Sequence, residues 1–133
     1  MKRQSQNNHG FTLVELMITV VIVGILASVA IPLYQGNVRR AKATEADAAL
    51  GSIRTSLRVF YAENGSYPTA TEDAPWDIVG LDIDSLDLAG KYFSASSYKI
   101  TSTAVAFTIQ ATGSGPSANI NRQIVTDGTL SSF

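Results

Sequence analysis

The chain has 133 residues, enough for one compact domain and an additional anchoring segment. Its formal net charge of −1 supplies no global field for nucleic acid or an anionic membrane surface. Cysteine is absent, which excludes disulfides, thiolate metal sites and thiol catalysis.

The first ten residues, MKRQSQNNHG, are polar and positive, and they hold the single histidine, His9. An apolar run follows at once, GFTLVELMITVVIVGILASVAIP, with no charge at all over residues 16–33. As a helix, residues 11–33 cover roughly 35 Å, enough to cross a hydrocarbon core of about 30 Å. A conventional secretory signal places its apolar region before the cut. Here the apolar region lies after Gly10, so cleavage there would leave the hydrophobic helix on the mature chain. One carboxylate, Glu15, sits inside the run. A charge at the middle of a spanning helix costs about 2.5–3.5 kcal/mol, so Glu15 calls for a reason.

Gly10-Phe11-Thr12-Leu13-Val14-Glu15, with the basic leader and the uncharged run, resembles the prepilin processing motif of type IV pilins and type II secretion pseudopilins. The resemblance extends through Pro32 and along the next helix to Asn64-Gly65-Ser66-Tyr67-Pro68. It implies a cytoplasmic leader, residues 1–10, removed by a membrane prepilin peptidase. That enzyme would cut between Gly10 and Phe11 and methylate the new amine of Phe11. It further implies single-pass residence in the inner membrane, then passage through a pilus assembly platform into a homo-oligomeric extracellular filament. In a filament core Glu15 has no water, and its only cation is the amine freed at Phe11. Four residues of rise put a chain's own amine about 6 Å away along the axis, so a neighbouring subunit is the better donor. Glu15 is therefore expected to be an assembly residue. Gly24 and Pro32 interrupt helix regularity, by about 1 and 3 kcal/mol, and mark a kink or a segment that unwinds on assembly.

After residue 33 the pattern becomes amphipathic. Ala46, Ala49, Leu50, Ile53, Leu57, Phe60 and Tyr61 recur at spacings of three and four, while charges occupy the other faces. Asn64-Gly65 and Pro68 stop the helix. One helix of about 80 Å is predicted over 11–63: a transmembrane and assembly half (11–35), then an amphipathic continuation (36–63). Arg39-Arg40-Ala41-Lys42 reads as a solvated face partly offset by Glu45 and Asp47.

Residues 67–90 carry turn chemistry, with a short helical piece around 83–88 capped by Asp82 or Asp84. The Asp82–Asp87 cluster lacks the glycine and closing glutamate of a calcium loop, so no metal and no cofactor are expected. Strands are predicted over 92–101, 104–111 and 122–126, with a short fourth over 129–133. Short turns between them indicate an antiparallel meander packed on the apolar stripe. Residues 64–133, with 36–63, would form the head. The fold class is α+β: a long N-terminal helix with a protruding hydrophobic half, packed against a small antiparallel sheet, as in pilins.

No nucleophile–base pair or metal cluster can be assembled, so an enzyme is not expected and there are no catalytic residues to nominate. Trp76 stands in Ala-Pro-Trp-Asp-Ile-Val, without the Trp-Gly-x-Pro-Tyr stretch of the major pseudopilin, which favours a pilus subunit over a pseudopilin. Such a filament would serve adhesion, motility or DNA uptake. Direct contact with nucleic acid needs an exposed basic strip; none stands out in the sequence, so nucleic acid is not expected as a partner.

Overall fold

The computed structural model describes residues 10–133. The proposed leader therefore lies, except for Gly10, outside the described residues. The chain divides into two compact units, residues 1–37 and 38–133. One helix, α1 (Leu13–Asn64), contributes to both.

In the first unit, α1 is helical through Gly24 and Pro32 without a break. Proline has no N–H, so the carbonyl of Ser28 lacks its usual donor there. Polar side chains in this stretch bond backwards within the helix: Thr19 donates to the carbonyl of Leu16 (2.8 Å) and Ser28 to that of Ile25 (2.7 Å). That removes their hydroxyls from competition with an apolar surrounding. Every large apolar side chain from Phe11 to Tyr34 is at least 51% exposed. This is the one helix among the described residues long and apolar enough to cross a membrane.

The second unit holds the core. Ala46, Leu50, Ile53 and Leu57 of α1 are completely buried, at the spacings of three and four that the stripe predicts. Each of the larger three contributes roughly 1.5–3 kcal/mol by leaving water. Five strands cover them: β1 (Ala70–Asp73), β2 (Tyr98–Ser102), β3 (Phe107–Thr112), β4 (Asn121–Val125) and β5 (Leu130–Ser132). They pair antiparallel in chain order. Ile100, Ile109 and Ile124 lie opposite one another and form the inner row. Lys99, Gln110, Gln123 and Ser131 form the adjacent outer row.

The helix stop is the expected one. Gly65 adopts φ 74° and donates its N–H to the carbonyl of Tyr61 (2.8 Å), while Asn64 Nδ2 donates to that of Phe60 (3.0 Å). Three details differ from expectation. Strand β1 is unpredicted; its register against β2 shifts between Ala70 and Asp73, and Glu72 there has φ 57°. Residues 92–97 are not strand, because Ala95–Ser97 forms a 3-10 turn and pairing begins at Tyr98. Residues 85–88 form a turn and no helix; Asp84 Oδ1 accepts the N–H of Leu86 (2.9 Å), so the carboxylate ends the loop locally.

Candidate functional site

At the start of α1, Thr12 and Glu15 bond each other reciprocally. The N–H of Glu15 donates to Thr12 Oγ1 (3.2 Å), and the N–H of Thr12 donates to Glu15 Oε2 (3.4 Å). The Thr12 hydroxyl is also 3.4 Å from Glu15 Oε2. This is a capping box: residues i and i+3 satisfy two backbone donors that the first turn leaves open. The carboxylate also complements the positive end of the helix. Gly10 and Phe11 are exposed just before it. Gly24 has nothing within 4 Å of where a Cβ would stand, so its lack of a side chain serves no contact within the chain.

In the second unit, two carboxylates of α1 are committed to the sheet side. Glu45 Oε1 accepts the N–H groups of Tyr92 (2.8 Å) and Phe93 (2.9 Å). Gly90 lies against the same carboxylate, where a Cβ would collide with Glu45 Oε1. Asp47 takes both arms of Arg122, Nε at 2.7 Å and Nη2 at 2.8 Å. The hydrogen bonds from Arg122, against a smaller effect of burial, raise its pKa. Neither acid forms an ion pair with Arg39, Arg40 or Lys42, while Arg39 and Arg40 are exposed on the solvated face. Instead, Lys42 Nζ lies 5.4 Å and Lys91 Nζ 5.2 Å from the centroid of the Tyr92 ring. Lys42 also donates to the carbonyl of Pro116.

Charge in this unit is divided along the chain, with one ion pair, Lys99–Glu72, across the division. Residues 59–90 contain seven carboxylates and no lysine or arginine. All eight cations of the unit lie in 38–58 and 91–133. The aromatic residues Phe93, Tyr98 and Phe107 are buried, and Phe93 and Tyr98 stack at 6.1 Å, so they serve packing. Among the described residues, no group of three or more His, Asp or Glu is placed to hold a metal.

Two family models match the sequence. The prokaryotic N-terminal methylation motif matches residues 5–31. The model described as "Type IV minor pilin ComP, DNA uptake sequence receptor" matches residues 32–122, more than half of the chain. That second match stands against the expectation that nucleic acid is no partner. The expectation rested on finding no exposed basic strip in the sequence, which a match to a family model does not require.

A fimbrial protein of Neisseria meningitidis is 35% identical over 115 residues, covering 86% of this chain and 59% of that protein. A type IV major pilin of Neisseria gonorrhoeae is 35% identical over 104 residues, covering 78% and 54%. The type II secretion system core protein G of Klebsiella michiganensis is 38% identical over 72 residues, covering 54% and 49%. The chain spans about half the length of the curated relatives it matches. With the methylation motif at the start, an apolar first half of α1 and a meander sheet over its second half, the chain belongs to the type IV pilin family, whose members are structural and not enzymatic.

Proposed function

We propose that this chain is a minor subunit of a type IV pilus whose head contacts DNA during uptake. The observation that carries the reading is the minor-pilin model over residues 32–122, which takes in most of the second unit. The cations of the head support it. Of the eight between residues 38 and 133, Lys99 and Arg122 are paired with Glu72 and Asp47, and the other six are in no ion pair among the described residues, which leaves them for duplex phosphates.

In this reading the precursor is cut between Gly10 and Phe11, and the new amine of Phe11 is methylated. Residues 11–33 hold the chain in the inner membrane until an assembly platform draws it into the filament outside the cell. Their exposed apolar side chains then pack against neighbouring copies. Glu15 meets the Phe11 amine of a neighbour, exchanging the local bond to Thr12 for an ion pair. Gly24 and Pro32 let that segment bend or unwind. The divisions 1–10, 11–35, 36–63 and 64–133 correspond to leader, anchor, helical support and sheet.

The test is retention of duplex DNA by the full chain in detergent micelles, at several salt concentrations, with uptake-sequence and shuffled duplexes. Binding that weakens steeply with salt and prefers one sequence supports a receptor. No retention at low salt removes the DNA reading and leaves a filament subunit. The match to core protein G favours one alternative, a secretion pseudopilin. Loss of secretion with intact DNA uptake, in cells lacking this chain, would select it.

A further inference from the structure

The cations at the beginning of the second unit are gathered with unusual economy. Lys42 from α1 and Lys91 from the loop before β2 converge on one ring, Tyr92, 5.4 and 5.2 Å from its centroid. Arg39 stands one turn before Lys42, and Arg40 is exposed beside it. Among the described residues, neither arginine and neither lysine is in an ion pair; the two pairs present are Lys99–Glu72 and Arg122–Asp47. The carboxylates closest along α1, Glu45 and Asp47, are spent on the amides of Tyr92 and Phe93 and on Arg122. Two lysine ammoniums near one ring each gain from it, and a multivalent anion can offset the positive charge that they leave without an ion pair.

The place of this cluster in the chain names the anion. Arg39 comes six residues after Leu33, the end of the uncharged run. Along the helix six residues advance the chain about 9 Å, just past a headgroup layer of roughly 5–7 Å. Lysine and arginine stems reach back toward phosphates from such a position, and tyrosine is at home at the same depth. We propose that Arg39, Arg40, Lys42 and Lys91, around Tyr92, form a docking surface for the headgroups of anionic phospholipids, used while the subunit waits in the membrane. The proposal rests on residues 11–33 being the membrane anchor. Each cation at an anionic surface is worth roughly a fivefold gain in partitioning, so four hold the head to the bilayer without an apolar contact.

The absence of cysteine makes the test clean. The full chain carries a nitroxide at Ser114→Cys, an exposed position two residues from Pro116, or at Val20→Cys in the anchor. It is reconstituted in phosphatidylcholine vesicles with or without phosphatidylglycerol. Phosphatidylglycerol should lower the access of a water-soluble relaxation agent to the Ser114 label severalfold. High salt, or Arg39→Gln with Lys42→Gln and Lys91→Gln, should restore it. Lys42→Arg with Lys91→Arg should keep the effect, separating charge from a fold disturbed at Pro116. A Ser114 label indifferent to phosphatidylglycerol, beside a lipid-immersed Val20 label, overturns the docking surface and leaves the anchor intact. A water-exposed Val20 label removes the anchor and the docking surface together. If the triple variant keeps the Ser114 effect but loses duplex DNA, the cluster belongs to nucleic acid and the proposal falls.

Discussion

Asp47 and Arg122, 75 residues apart in the chain, meet through two parallel hydrogen bonds of 2.7 and 2.8 Å. The pair ties α1 to β4, and both side chains are about one quarter exposed. Its geometry is that of the fork-shaped pairs that exceed an ordinary surface ion pair. Asp47→Ala should destabilise the head by about 1–2 kcal/mol. Arg122→Lys should recover only part of the interaction, since a single ammonium cannot present both arms. Denaturant titration of the single and double variants checks this; additive losses would show that the two residues do not act as a pair.

Glu45 matters through what it accepts. Glu45→Ala leaves the amides of Tyr92 and Phe93 without their acceptor, at a cost of about 2–4 kcal/mol for two partly buried donors. Glu45→Gln keeps one oxygen in place and should cost clearly less. Gly90→Ala should resemble Glu45→Ala, because the added methyl falls on the same carboxylate. Thermal melts of the three variants would decide it, and a harmless Gly90→Ala would refute the latch.

Tyr98 gives the head a sensitivity to alkali. Burial, and secondarily the Glu45 carboxylate, push its phenol from 10.0 up to about 12. The folded chain then holds this proton more tightly than the unfolded chain. The resulting stability is complete below about pH 10 and is lost as pH rises through about 12. The change is on the order of 2–3 kcal/mol. Tyr98→Phe should flatten the melting temperature across that window. An unchanged slope would assign the alkaline loss to other groups.

Thr12 and Glu15 separate a local role from an intermolecular one. If Glu15 serves only as half of the capping box, Thr12→Val and Glu15→Val should have similarly small effects on fibres, since a cap contributes about 1 kcal/mol. If Glu15 also pairs with a neighbour, Glu15→Val should insert and be cleaved yet give few fibres, while Thr12→Val assembles. Counting filaments at equal expression distinguishes the two, and wild-type numbers from Glu15→Val remove the pairing role.

The parts of this fold that are legible in the sequence are those set by near neighbours. Ala46, Leu50, Ile53 and Leu57 announce their common face by spacing, Gly65 announces the helix stop, and alternation over Phe107, Ile109 and Ala111 announces β3. Strand β1 is not legible, because Thr71, Glu72 and Asp73 are all exposed and no alternation marks them. The roles of Glu45 and Asp47 depend on partners 47 to 75 residues away, which no local pattern encodes. The gathering of Lys42 and Lys91 over Tyr92 is hidden for the same reason. The capping box, by contrast, is written in the four letters Thr12-Leu13-Val14-Glu15. Weighing Glu15 only as a charge in lipid passes over it.

The sequential order of the sheet bears on how the head comes to exist. Each strand from β3 to β5 pairs with the strand made just before it across a short loop, so this part of the sheet can grow by one such closure at a time, whereas β1 must wait for β2 across residues 74–97. The apolar face of α1 has no such early partner. Leu50, Ile53 and Leu57 are synthesised well before Ile100, Ile109 and Ile124 arrive to cover them. During that interval the stripe is open to any other apolar surface, including the same stripe on another nascent chain. The Asp47–Arg122 clasp can close only once Arg122 of β4 has been made, so it cannot shield the stripe during that interval.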